Sequence, residues 1–252
     1  MNAEICRAQS KAIQDALALP LPPIGVAFSD SPPPSVPPFE GRVAAGCVFW
    51  ERAAQGPIVT TAADHDMCSI GIYTHSLSGA PPKHGPELET VLKVLNDLQY
   101  VRSEDLPQIP VLHKEAKYVV YAPLDEMPVE PDAVLVFCNA SQSLVMSEAV
   151  QQVEAGAPPA MGRPACAVIP QVVNSSRAAL SLGCCGARAY LETLTDDIAL
   201  WALPGSRLAD YVDRLTILAQ ANKVLSIFHQ LRKQDVAGGS TPTYAESLAR
   251  MQ

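Results

Sequence analysis

The sequence predicts an α/β protein: a central mixed β-sheet flanked by helices, with one long C-terminal helix. Three observations lead there. Short apolar runs rich in β-branched residues, such as Tyr118–Pro123 and Ala133–Cys138, are bounded by turn residues. Helical stretches alternate with these runs, as in strand–helix units. Residues 206–232 place Leu208, Tyr211, Val212, Leu215, Leu218 and Ala219 at helical spacing, then Val224, Leu225, Phe228 and Leu231.

In chain order, residues 3–19 read as a helix with Ile5, Ala8, Ala12, Ala16 and Leu19 on its apolar side, stopped by Pro20, Pro22 and Pro23. Ile24–Phe28 reads as a strand. The stretch SPPPSVPP at 31–38 excludes a helix or a central strand and reads as a stiff surface loop. Residues 42–54 read as a strand passing into a short helix, and Ile58–Thr61 as a strand. The run TAADHDMCSIGIYTHSLSG at 61–79 is polar and glycine-punctuated, a loop rich in potential ligands. Pro86–Leu98 is an amphipathic helix with Leu88, Val91, Leu92 and Leu95 on one side. After the strand ending at Cys138, a helix follows with Ser141 as candidate cap and Gly156 as stop. Residues 165–173 read as an apolar strand or buried segment, and 181–190 as a glycine-flanked turn around two cysteines. Ile198–Leu203 reads as a strand ended by Pro204–Gly205. Without an internal repeat or a linker, residues 1–233 are expected to form one domain, and 234–252 a loosely held tail.

The chain has 252 residues, 48% of them hydrophobic and 17% charged, which suits a globular core. A net charge of −8 argues against nucleic acid or an anionic membrane as main partner. No segment reaches the ~18 to 20 apolar residues of a membrane span. The N-terminus lacks a basic start followed by a long apolar run, so a cytoplasmic protein is expected.

Seven cysteines are present: Cys6, Cys47, Cys68, Cys138, Cys166, Cys184 and Cys185. An odd count in a chain expected to be intracellular does not suggest a disulfide framework, which leaves burial, metal ligation or redox work. Four have a helpful setting. Cys47 follows Gly46, Cys68 lies in DMCSIG, Cys166 in RPACA and Cys184 in LGCCGAR. Glycines there let the backbone approach closely and aim its amides at sulfur. No C-x-x-C pair occurs, so spacing alone leaves open small buried residues, an iron–sulfur cluster or a four-thiolate zinc site. Cys138, ending a strand, reads as core, and Cys6 as helix packing. His65 and His75 flank Cys68 and are candidate ligands or proton donors, against the alternative of solvated loop histidines. Arg188 either binds a substrate anion or pins its turn through Asp196 or Asp197. Asn139 and Gln142 sit where α/β proteins bind ligands, or cap the helix that follows. Phosphate-loop, GxGxxG, GxSxG and HExxH motifs are absent.

The stretches PPIGVAF, GCVFWERAAQG, DMCSIG, FCNASQSLVM, RPACAVIP, SLGCCGAR and TDDIALWALPG, in this order over roughly residues 20 to 215, resemble family 169 of the domains of unknown function. Similar proteins carry cysteines where Cys47, Cys68, Cys166 and Cys184 stand. The resemblance implies that these four share a metal or cluster site. Two positions depart from it. Where many members have a further cysteine, this chain has Ala187, with Cys185 beside Cys184 instead, which leaves the fourth ligand open between the two. The family's asparagine–proline is here Asn139–Ala140. The expectation is a 4Fe-4S protein, an enzyme using His65 and Arg188 on a small-molecule substrate or an electron-transfer partner. The alternatives are a non-catalytic sensor or carrier and a zinc-stabilised domain. Homodimer formation is left open.

Overall fold

The computed structural model describes residues 3–251. Its centre is a seven-stranded mixed sheet: β1 (Ile24–Ser29), β2 (Ile58–Thr60), β3 (Tyr118–Pro123), β4 (Ala133–Asn139), β5 (Ala160–Met161), β6 (Ala179–Ser181) and β7 (Ile198–Pro204). The spatial order is β2-β3-β1-β4-β7-β6-β5. All neighbours are antiparallel except β5 and β6. The last strand in sequence therefore sits inside the sheet, between β4 and β6.

Successive side chains of a strand point to opposite faces, and here both faces are buried. Tyr121, Leu135, Phe137, Leu200 and Ala202 enter one core; Val120, Ala122, Val134, Val136, Trp201 and Leu203 enter the other. The second core is covered by α1 (Ala3–Leu17), α5 (Ala140–Val153) and α8 (Leu208–Ala237). The first is covered by short pieces: α2 (Val48–Ala53), α3 (Ser69–Thr74), α6 (Val168–Ser175) and α7 (Cys185–Tyr190). Between them in sequence, α4 (His84–Asp97) lies against α3 and has no buried residue.

The helix after β4 is capped not by Ser141 but by Asn139. Its side chain accepts from the Gln142 N–H at 2.9 Å, and Gln142 Oε1 accepts from the Asn139 N–H at 2.8 Å. Of the two roles open to this pair, local capping is the one observed. Residues 165–173 are not a strand: a 3-10 turn, Ala165–Ala167, leads into α6. Residues 42–47 form no strand before α2. The expected loose tail is partly helical. The long helix runs past residue 233 to Ala237, and α9 (Tyr244–Ala249) follows, held by Arg232, which donates to the Pro242 carbonyl and Ser247 Oγ.

Candidate functional site

The short elements under the first sheet face present sulfur at their starts. Cys47, Cys68 and Cys184 occupy the positions immediately before α2, α3 and α7, and Cys166 lies in the 3-10 turn before α6. All four line one cavity of about 570 Å³, together with Cys185 and His75. Residues separated by well over a hundred positions thus meet on a single face. Among the described residues, however, no three His, Cys, Asp or Glu side chains stand close enough to share one metal ion.

Burial favours the neutral thiol at Cys47, Cys68 and Cys166. Desolvation, followed by Cys68 and Cys184, pushes the Cys47 thiol up to about 12. Cys166 is raised as well, by burial first and then by Cys68. Cys68 is raised by burial too, and the Gly46 and Gly71 backbone N–H groups beside its sulfur act in the opposite direction. Cys184 Sγ accepts from the Ala187 N–H at 3.5 Å, and Cys166 Sγ shares a hydrogen bond with Thr74 Oγ1 at 3.5 Å. Two glycines allow this packing. A Cβ on Gly46 would stand 2.7 Å from His65 Cδ2 and 3.7 Å from Cys68 Sγ, and one on Gly71 would stand 3.0 Å from Cys68 Sγ.

Beneath the sulfurs lies a buried polar layer. His65 and His75 are 0% and 2% exposed, so neither is a solvated loop histidine. The His65 Nδ1–H faces the Thr61 carbonyl at 2.9 Å, which leaves Nε2 with its lone pair and no partner. Neither ring nitrogen of His75 makes a well-formed hydrogen bond; the Cys166 backbone carbonyl is the polar group that faces the ring. Burial, the leading cause, lowers His65 to about 4 and His75 to about 3. The Tyr121 hydroxyl, also fully buried and unpartnered, is raised well above its ordinary value by desolvation and then by Cys166, Cys68 and Cys47. Phe49 packs between the Tyr121 and His65 rings, at 5.8 and 4.7 Å between centroids. Buried polar groups are nearly always satisfied, so the nitrogens of His65 and His75 and the Tyr121 hydroxyl, gathered in one place, set this layer apart from the rest of the core.

The remaining candidates separate cleanly. The Arg188 guanidinium donates to the carbonyls of Leu182, Leu194, Thr195 and Ile198. It pins the turn, though through carbonyls and not through Asp196 or Asp197, and it does not line the cavity. Cys138 and Cys6 belong to the opposite core. Cys185 is exposed at the cavity, beside the Tyr100 hydroxyl. Sequence reading missed Tyr121 and Thr74: a tyrosine inside an apolar strand and a threonine in a short helix carry no one-dimensional mark of what they face.

A sequence model of the family described as uncharacterised ArCR, DUF169, matches residues 12–214. No curated protein and no solved structure matches the chain.

Proposed function

We propose, for a chain that belongs to the DUF169 family, that it holds an iron–sulfur cluster of the 4Fe-4S type on Cys47, Cys68, Cys166 and Cys184 and acts as a redox or Lewis-acid enzyme on a small molecule. The observation that carries this reading is the convergence of four sequence-distant cysteines on one cavity above unpartnered buried polar atoms. Iron–sulfur clusters take four thiolates from separate loops readily. A single zinc ion, bonded tetrahedrally at about 2.3 Å, would draw its sulfurs together more tightly than the described side chains stand. A cluster supplies electron transfer when every iron carries a thiolate, and Lewis acidity when one is left open.

The chain's own residues contribute four things. The N–H groups of Gly46, Gly71 and Ala187 and the Thr74 hydroxyl stand against three of the four sulfurs and would spread thiolate charge. Phe49, Tyr121 and the sheet keep water from the floor. His65, fixed in one tautomer by Thr61, presents Nε2 as an acceptor. His75 lines the cavity and, with the Cys166 carbonyl facing its ring, keeps a nitrogen available to a bound group.

Anaerobic purification with iron and sulfide analysis tests the reading. The expected result is a brown protein with about four irons per chain. Cys47→Ser, Cys68→Ser, Cys166→Ser or Cys184→Ser each lowers that content, while Cys185→Ser does not. A colourless protein with stoichiometric zinc would replace the reading with a zinc-stabilised domain. Full iron content in the Cys184→Ser variant and loss in Cys185→Ser would exchange the fourth ligand.

A further inference from the structure

The cavity has an outer half that the sulfurs do not explain. The amphipathic helix α4 directs Val91, Leu92 and Leu95 into it, where they are joined by Tyr100, Ile109 and Met161. An apolar helix face normally enters a core. Here no residue of α4 is fully buried; Val91, Leu92 and Leu95 are half-buried and face the cavity. From residue 81 to 110, Val101 alone is buried. This segment is tied to the body at Tyr100. Its carbonyl accepts from Arg163 Nη2 at 2.6 Å, and the Arg163 guanidinium lies 4.7 Å from the centroid of its ring. The ionised groups lining the cavity have partners of their own. Asp105 accepts from Arg102 at 2.7 and 3.0 Å, Glu87 lies 3.7 Å from Lys83, and Arg163, which donates to the neutral Tyr100 carbonyl, has its charge answered by the neighbouring Asp105 carboxylate. No unmatched charge there calls for an opposite charge on a ligand.

We propose that the space between α4 and the cysteine floor is the substrate subsite of the same centre, and that it takes an uncharged small organic molecule with an apolar body and one hydrogen-bonding group directed at His75. The volume lies within the ~300–1,000 Å³ of small-molecule pockets, which combine apolar walls with a few placed polar groups. His75 supplies the polar group: it is more than nine-tenths buried, lines the cavity, and has neither ring nitrogen in a well-formed hydrogen bond, the Cys166 backbone carbonyl being the one polar group that faces the ring. Covering the aliphatic stripe removes it from water, which supplies affinity without requiring charge. This inference rests on the cysteine-site reading for its chemistry but not for its binding, so the two can fail separately.

The test uses the full chain as purified and the neutral probe 1-aminoanthracene, followed by fluorescence, with iron and sulfide measured on the same samples. One probe per chain is expected. Leu92→Asp, which places a charge in the apolar wall, weakens binding about tenfold or more. Val91→Trp, which fills the space without adding charge, does the same. Leu225→Asp, on the exposed side of α8, leaves affinity unchanged; Leu225 is 51% exposed, so it controls for surface adsorption. Because Leu92 and Val91 are half-buried and no residue of α4 is fully buried, these variants shift the melting temperature by a few degrees at most, and circular dichroism checks that they stay folded. Binding indifferent to both Leu92→Asp and Val91→Trp overturns the subsite whatever the iron content, as does equal loss in Leu225→Asp. Probe binding as described in protein that never contains iron keeps the subsite and removes the cluster.

Discussion

The two faces of the sheet are built to different rules. On one, α1, α5 and α8 cover a core of aliphatic side chains, and its two cysteines, Cys6 and Cys138, are plain packing groups. On the other, short helices separated by loops bring four cysteines, two histidines and a tyrosine hydroxyl under the surface, several without hydrogen-bond partners. The same strands serve both, since alternate residues of β3, β4 and β7 point each way. The division teaches that the helical face supplies the stability that lets the other keep costly polar groups underground.

The largest expected effect tests the helical face. Trp201 is fully buried there, with its indole N–H donating to Ser143 Oγ at 3.0 Å. Trp201→Ala should cost about 3–5 kcal/mol in urea denaturation, equally with and without metal. A loss confined to the metal-loaded protein would break the comparison.

Next comes acid. An unfolded histidine titrates at its ordinary 6.5, whereas the folded chain holds His65 to about 4 and His75 to about 3. The unfolded state therefore binds these protons first. The contribution is fully present above pH 6.5 and is lost as pH falls through 4 and then 3, amounting to roughly 3 kcal/mol for His65. Chemical denaturation of the metal-free protein over this range should show the slope, and His65→Asn should flatten it; an unaltered slope in that variant would assign the acid sensitivity elsewhere.

A smaller effect is expected at Gly46. Adding a methyl meets the His65 ring at 2.7 Å, and a ring wedged by Phe49 has little room to retreat. Gly46→Ala should cost about 1–3 kcal/mol and lower iron loading. Smallest is Cys185→Ser, within about 0.5 kcal/mol of the parent because the residue is exposed. In the same vein, iodoacetamide at neutral pH should modify Cys185 in the folded protein and spare Cys138, whose thiol burial pushes up to about 12.

Much of the helical face was legible in the sequence. The runs at 118–123 and 133–138 are strands, and the stretch from 206 is the long helix, because a strand buried on both faces leaves a continuous apolar run between turns and a helix leaves its own spacing. The run at 165–173, read as a strand or a buried segment, is the latter: a short apolar segment with valine and isoleucine looks the same whether it is a buried strand or a buried helix. At the site, local glycines marked Cys47, Cys68 and Cys184 one by one, and the family resemblance added Cys166. Their meeting on one cavity depends on strand order, which residue spacing does not encode. The histidines misled for a related reason: a polar loop reads as solvated, and only the packing of Phe49 and Phe28 against these rings reveals that His65 and His75 are enclosed.

The place of β7 has a consequence for synthesis on the ribosome. Until residues 198–204 have emerged, β4 and β6 have no common neighbour, so the nascent chain carries a four-strand piece and a two-strand piece with raw edges facing each other. Prematurely terminated products ending before Ile198 would expose the β4 edge and be prone to clumping, whereas release of the finished polypeptide lets its closing strand zip the two halves together.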